Sequence, residues 1–390
     1  MYPTFADFFK DFTGWQLPFP FTMIQSFGLL VAISFLFAAG CLSIELKRKE
    51  QNGLLKPFVK KTLTGEAVKP TELIVSGLIG FVLGYKILDF IINYSDASSN
   101  PGAYILSGKG SVLGGVIGAA LAAYSKYREV NKKKLETPQW VEETIHPFQI
   151  VGNTTIVAAI FGFAGSKLFD MLENPSEIQE FLANPGANLF SGLTFYGGLI
   201  LAAFAVIYYT NSYGVKPIHM VDATAPSLML AYGVGRLGCQ VAGDGDWGIN
   251  NLAPKPGWMS FLPDWVWSYR YPHNVVGEGI PIPGCDGKHC FQLADPVFPT
   301  PLYEAIVCIA LFFLLWSLRK RIVAPGVMFS FYLMLNGIER FAVEHIRINT
   351  QYHIFGMGIT QAQIIAPILF LLGLTGVIFY HNRHKKSLSN

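Results

Sequence analysis

Three groups of residues carry side chains and spacings suited to an anionic, phosphate-bearing ligand. The first is Gly235-Arg236-Leu237-Gly238-Cys239-Gln240-Val241-Ala242-Gly243-Asp244-Gly245-Asp246-Trp247-Gly248. Its glycines, Gly235, Gly238 and Gly248 among them, let backbone approach a ligand closely. Arg236 can fork onto a phosphate, and Asp244 and Asp246 can act as acceptors or bases. The structural alternative is a Gly-rich helix exit with a snorkelling arginine. A calcium loop fits poorly, because two aspartates without a following bidentate glutamate fall short of that pattern. The second group is Arg340, Glu344 and Arg347, whose spacings of four and three put all three on one helical face. Two guanidiniums around one carboxylate leave positive charge over, which suits an anionic headgroup. A structural ion-pair ladder is the competing explanation. The third group is Phe298-Pro299-Thr300-Pro301-Leu302-Tyr303-Glu304. Here the prolines restrict the approach to a helix, and Tyr303 is of the type found at membrane interfaces. Glu304 is either functional or simply favourable to the helix dipole.

The elements that must position these groups follow from composition. Of 390 residues, 51% are apolar and only 14% charged, against about 25% charged in an ordinary soluble domain. A soluble cytosolic enzyme is thereby excluded, as is disorder. The net charge of +3 gives no sign of a nucleic-acid partner. Apolar stretches near 21–44, 71–93, 110–124, 154–172, 193–210, 219–242, 302–318, 324–346 and 360–381 have about the length a helix needs to cross a bilayer. The expected fold is therefore an all-α polytopic membrane bundle of about nine spans, read as one transmembrane domain over 1–390. The third stretch is short and rich in Gly and Ala, so a re-entrant or tilted half-helix is the alternative there.

Loops rich in Lys and Arg stay cytoplasmic. Such residues cluster after the first stretch (Lys47, Arg48, Lys49, Lys56, Lys60, Lys61), the third (Lys126, Arg128, Lys132, Lys133, Lys134), the seventh (Arg319, Lys320, Arg321) and the ninth (Arg383, Lys385, Lys386). The alternate loops 95–107, 173–190 and 244–300 are poor in them. This alternation predicts an outside N-terminus and a cytoplasmic C-terminus, with all three charged groups at outward ends. A phosphate site between spans, facing the outer leaflet, is the consequence. No cleavable signal peptide is expected, because Asp7, Lys10 and Asp11 interrupt the first residues. In the outward segment 244–300, Cys285 and Cys290 could close a disulfide, stay as two thiols, or join His289 in a weak metal site. Cys41, Cys239 and Cys308 fall in apolar stretches as small buried residues.

An internal repeat is also visible. Asn100-Pro101-Gly102-Ala103 recurs as Asn184-Pro185-Gly186-Ala187, and Ser107-Gly108 as Ser191-Gly192. Upstream, Gly84, Lys86 and Asp89 parallel Gly165, Lys167 and Asp170; downstream, Gly114-Gly115 parallels Gly197-Gly198. Two units, 71–124 and 154–210, are the economical explanation. Chance likeness among Gly- and Ala-rich helices is the alternative. Only the second copy has aromatics before its glycine pair, in Thr194-Phe195-Tyr196-Gly197-Gly198.

These residues together resemble the bacterial prolipoprotein diacylglyceryl transferase family. Gly235-Arg236-Leu237-Gly238 with Trp247-Gly248 is similar to that family's Gly-Arg-x-Gly-Asn-Phe and later Trp-Gly. Phe195-Tyr196-Gly197-Gly198-Leu199-Ile200 is similar to its His-Gly-Gly-Leu, Pro299-Thr300-Pro301-Leu302-Tyr303-Glu304 to its His-Pro-Ser-x-Leu-Tyr-Glu, and Arg340 with Glu344 to its Arg-x-x-x-Glu. Asp222 with Pro226, and Gln363 with Ile364, match weaker patterns, and the motif order is the family's. The resemblance implies transfer of diacylglyceryl from phosphatidylglycerol to the lipobox cysteine of a prolipoprotein, with release of glycerol phosphate and no cofactor or metal. It implies a bacterial cytoplasmic membrane location. Arg236 and Arg340 would hold the phosphate, Glu344 would orient an arginine, and Gly197, Gly198, Gly235, Gly238, Cys239, Gln240, Gly248, Tyr303, Glu304 and Arg347 would line the substrate.

The chain departs from the pattern where protons move. Tyr196 replaces the family's histidine, Cys239 its asparagine, and Asn336-Gly337 its Tyr-Gly; Phe27 precedes Gly28 where the family has tyrosine, and the acidic position is split between Asp244 and Asp246. A phenol is a poor base near neutral pH. Asp244 or Asp246 could serve instead, and Cys239 could be a nucleophile. Two other expectations remain beside the transferase: a catalytically altered relative that binds or transports anionic lipid, and an enzyme passing a glyceryl group to another acceptor.

Overall fold

The computed structural model describes the chain apart from residues 19–20, 96–100, 136, 190–191, 350, 355–356 and 390. Asn100 and Ser191 of the repeat, parts of the 95–107 loop, and residue 190 of the acidic loop lie outside the described residues. Helices dominate, and the chain divides into two compact units, one of residues 1–55 and 215–390, the other of residues 56–214.

In the first unit a short helix α1 (Phe5–Thr13) precedes α2 (Ser26–Gln51). At about 1.5 Å per residue, the 26 residues of α2 reach about 39 Å, enough to cross a bilayer. The second unit holds α3 (Pro70–Ile92), the short α4 (Pro101–Leu106), α5 (Val112–Lys132), α6 (Val151–Glu173), α7 (Pro175–Ala183), α8 (Pro185–Asn188) and α9 (Phe195–Ser212). The first unit resumes with α10 (Pro217–Ala242), α11 (Thr300–Leu318), α12 (Val327–Glu344) and α13 (Gln361–Ser389). Proline at the first or second position opens α3, α10 and α11, where its missing N–H costs nothing. Among the described residues, α2, α3, α6, α9, α11 and α13 are long and apolar enough to cross a membrane. The remaining three expected stretches are the helices α5, α10 and α12, which fall short of that combination of length, hydropathy and low charge. The Gly- and Ala-rich third stretch forms a helix of 21 residues rather than a half-length one.

Among the described residues, three short two-stranded antiparallel ribbons, which hydropathy does not register, add to the helices. In the second unit Phe58–Thr64 pairs with Gln139–Ile145, setting Lys60 opposite Glu143 and Lys61 opposite Glu142. Opposite charges on facing strands favour that register.

Glycine sets the helix packing of the second unit. The α3–α5 pair closes so tightly that a Cβ on Gly80, Gly84, Gly114 or Gly118 would strike the facing backbone. The α6–α9 pair does the same through Gly165 and Gly197. Each pair also carries one cross-link of the same kind: Ser111 N–H donates to the Tyr85 carbonyl at 2.8 Å, and Thr194 N–H to the Ser166 carbonyl at 3.1 Å.

In the first unit Ala225, Met229, Cys308, Phe312, Leu315 and Met328 form a buried cluster joining α10, α11 and α12. At the Pro217 end of α10, Asp222 accepts the N–H groups of Gly326 at 2.7 Å and Phe329 at 2.9 Å. That satisfies donors at the start of α12 and fixes its direction. At the other end, the 244–300 segment folds over its own core of Trp247, Tyr271, Leu293 and Val297. Cys285 and Cys290 are joined by a disulfide there.

Candidate active site

The first unit brings the three charged sequence groups together. Arg236 lies about two turns before the end of α10, Glu304 in the first turns of α11, Arg340 and Glu344 in the last turns of α12, and Arg347 just beyond. The loop from Gly243 to Gly248 supplies Asp246. Its entry needs a left-handed residue, which Gly243 provides as the α10 cap at φ +66°. Thr300 Oγ1 then donates to the Asp246 carbonyl at 2.8 Å, and Gly248 N–H to the Phe298 carbonyl at 2.9 Å, tying the loop to the start of α11. Gly248 pairs with Arg347 in an isolated antiparallel bridge, and a Cβ at Gly248 would strike the Ile346 carbonyl.

Glu304 is the hub. Its carboxylate is fully buried and accepts Arg347 Nη1 at 2.9 Å, pairs with Arg236 Nε, and stands 3.6 Å from Arg340 Nη1. Asp246 forms a second junction, pairing with Arg236 Nη1 and Arg347 Nη2. Glu344 holds Arg340 at 3.0 Å and accepts Asn349 Nδ2 at 2.8 Å on each oxygen. Three guanidiniums thus meet the carboxylates of Asp246, Glu304 and Glu344. Arg236 also lies 5.4 Å from the Tyr232 ring centroid, a cation–π contact that limits its rotation.

The carboxylates differ in how freely they can leave. The Glu304 and Glu344 side chains are 0% exposed and helical, whereas Asp246 is 33% exposed on a loop whose Gly243 and Gly245 both have positive φ. Asp244 and Asp246 also differ electrostatically. Burial raises the Asp244 carboxyl above its ordinary range, only partly opposed by the Cys239 thiol. Burial pushes Asp246 the same way, but Arg236 and Arg347 outweigh it and hold that carboxyl below the usual range. Cys239 is buried, with Sγ 3.7 Å from Arg236 Nη1. Ligand atoms of Cys239, Asp244 and Asp246 lie within 4.8 Å of one another. Because two guanidiniums already occupy Asp246, this trio is arranged for ion pairing more than for a cation.

Other expected substrate-lining residues have different surroundings. Gln240 Oε1 accepts Tyr271 Oη at 2.7 Å, which ties α10 to the outer segment. Tyr303 Oη donates to the Val266 carbonyl at 2.7 Å. Gly238 lies against α2, where a Cβ would come within 3.4 Å of Phe27, while a Cβ added at Gly235 would point into open space. Tyr196, Gly197 and Gly198 belong to the second unit, in the first turn of α9, where both glycines face α6. Glu339 was not singled out from the sequence. It is 3% exposed, and neither carboxylate oxygen has a hydrogen-bond partner among the described residues. An ionisable residue inside an apolar stretch was the signal that could have found it.

The model of the prolipoprotein diacylglyceryl transferase family matches residues 130–379, well over half of the chain. The chain belongs to this family. Its match takes in α6 to α12 and most of α13, hence every residue of the charged site, and leaves out the first repeat copy. Several curated relatives carry the name phosphatidylglycerol–prolipoprotein diacylglyceryl transferase. The chain is 25% identical over 327 residues to one from Leptospira interrogans serogroup Icterohaemorrhagiae serovar copenhageni, covering 70% of this chain and 90% of the relative. It is 28% identical over 246 residues to one from Corynebacterium diphtheriae, covering 62% and 81%. To one from Streptococcus uberis it is 26% identical over 264 residues, covering 67% and 86%.

Proposed function

We propose that this protein transfers the diacylglyceryl group of phosphatidylglycerol to the lipobox cysteine thiol of a prolipoprotein and releases glycerol phosphate. The observation that carries the proposal is the convergence on Glu304 of Arg236 from one stretch of the chain and of Arg340 and Arg347 from another. A guanidinium cluster fixed by buried carboxylates presents donors where charge grows on a departing phosphate, at little reorganisation cost. The lipid phosphate takes the edges of Arg236 and Arg347 that Asp246 holds in the free protein, since Asp246 is the displaceable carboxylate. The substrate thiolate forms the S–C bond at the glyceryl carbon as the C–O bond to phosphate breaks. The thiol proton passes to Asp244, whose raised carboxyl is a better acceptor than the doubly paired Asp246.

In the membrane, the alternation of basic loops supports nine crossings in a bacterial cytoplasmic membrane, with the N-terminus outside, the C-terminus inside and the charged site facing the outer leaflet. The matching glycine contacts and cross-links of the α3–α5 and α6–α9 pairs support an internal duplication. Mass spectrometry of a lipobox peptide incubated with the protein and phosphatidylglycerol tests the proposal. A mass gain of one diacylglyceryl group, absent when serine replaces the peptide cysteine, is the expected result. An unmodified peptide, with the protein still binding the lipid, would leave a lipid-binding relative in its place.

A further inference from the structure

We infer that α1 (Phe5–Thr13) is an interfacial helix whose outer aromatic face lies in the bilayer surface on the side where the charged site opens. At 100° per residue, Phe5, Phe8, Phe9 and Phe12 occupy one contiguous arc of α1, and Asp7, Lys10 and Asp11 occupy the other side. Half of the apolar arc is used by the protein: Phe5 and Phe9 are partly covered and Ala6 beside them is buried. The other half is bare. Phe8 is 42% and Phe12 83% exposed, their rings stacked 6.2 Å apart, and Trp15 just past the helix is 77% exposed.

The position of this face identifies its occupant. Phe5 N–H donates to the Ile24 carbonyl and Ser26 N–H to the Pro3 carbonyl, so α1 is fastened to the first residues of α2. The surface of α2 carries exposed Phe27, Phe35, Leu36 and Phe37, an apolar surface that the bilayer covers in a membrane-spanning helix. The exposed rings of Phe8, Phe12 and Trp15, with exposed Phe21, thus belong to a segment fastened to the end of that covered helix. A capped helix with an aromatic face and charges opposite has the chemistry of the headgroup and acyl boundary.

Seating α1 there also fixes the height of the site. The Met1 amino nitrogen donates to the Pro272 carbonyl at 2.8 Å, Tyr2 N–H donates to the Val241 carbonyl at 2.9 Å, and a Cβ on Gly243 would come within 3.1 Å of the Met1 side chain. The loop bearing Asp246 therefore hangs from the same support as α1.

The test uses the full chain reconstituted in phosphatidylcholine vesicles and does not depend on the transferase activity. The emission of wild type minus that of Trp15→Phe isolates Trp15 from the other tryptophans. Lipid brominated near the carbonyl end of its acyl chains should quench this component by half or more, with aqueous iodide having little effect. Quenching by iodide but not by brominated lipid overturns the inference. Protection from both quenchers also overturns it, since a second copy or another protein segment would then cover the face. Phe12→Ser, which removes an exposed ring without opening a core, should leave the protein folded and increase the iodide quenching of Trp15.

Discussion

Glu304 accepts Arg347 at 2.9 Å across 43 residues of sequence, and the same fully buried carboxylate pairs with Arg236. The site is therefore built around an acid that faces its arginines rather than solvent. Replacing Glu304 by Gln leaves guanidiniums buried without their counter-charge. Removing one partner of a buried pair costs about 3–5 kcal/mol. Thermal unfolding in detergent should show a large loss of stability together with loss of transfer. An unfolding temperature equal to wild type would mean that the hub is not structural.

Asp244 and Asp246, two residues apart, should act oppositely on stability as pH changes. The Asp246 carboxyl is held low in the folded state, so its contribution is full above the unfolded value of about 3.9 and is lost as pH falls through the folded value. The Asp244 carboxyl is raised, so it costs stability as pH climbs from about 3.9 through its folded value. Unfolding of Asp246→Asn should lose part of the acid-side decline. Asp244→Asn should be more stable than wild type at neutral pH.

Asp244→Asn also separates binding from proton transfer. With Asp244 as acceptor, kcat should drop by about a hundredfold or more while KM for phosphatidylglycerol stays near wild type. With Asp246 as the displaceable carboxylate, Asp246→Asn should lower KM for the lipid. A fall in kcat confined to Asp246→Asn would exchange these roles.

Gly197 tests whether the glycine pair of the second unit serves packing. A Cβ there would meet the Phe169 side chain and lie 2.7 Å from the Gly165 carbonyl. Gly197→Ala should therefore destabilise the protein by about 1–3 kcal/mol, readable as a lower unfolding temperature. Unchanged stability with lost transfer would point instead to substrate contact.

The Cys285–Cys290 disulfide closes a short loop on the outer segment, away from the arginines in sequence. In the chain-entropy view, so short a loop contributes about 2 kcal/mol. Cys285→Ser with Cys290→Ser should lower the unfolding temperature modestly and leave transfer intact.

Much of this architecture was legible before the structure. Apolar runs of bilayer length became helices, and Arg236, Glu304, Arg340 and Arg347 stood out because charge near a membrane span is expensive. Their convergence was not legible. Spacing relates Arg340 to Glu344 within one helix, but nothing local links Glu304 to Arg236; that contact depends on how α10, α11 and α12 pack around Met229 and Phe312. Glu304 looked equally like a helix-start residue, because both roles place a carboxylate in a first turn. The ribbon of residues 58–64 and 139–145 escaped notice, since its partners are far apart in sequence and its strands are short and charged. Gln240 lay inside a motif suggestive of substrate contact, and only the fold directs it to Tyr271.

The most direct test follows glycerol phosphate released from phosphatidylglycerol in the presence of a lipobox peptide, for wild type, Arg236→Ala and Arg340→Ala. Release that requires the peptide cysteine and falls by about a hundredfold or more in both variants is the predicted result. Release that persists in both variants, or none from a folded wild type that binds the lipid, would contradict the arginine cluster as the centre of a diacylglyceryl transfer.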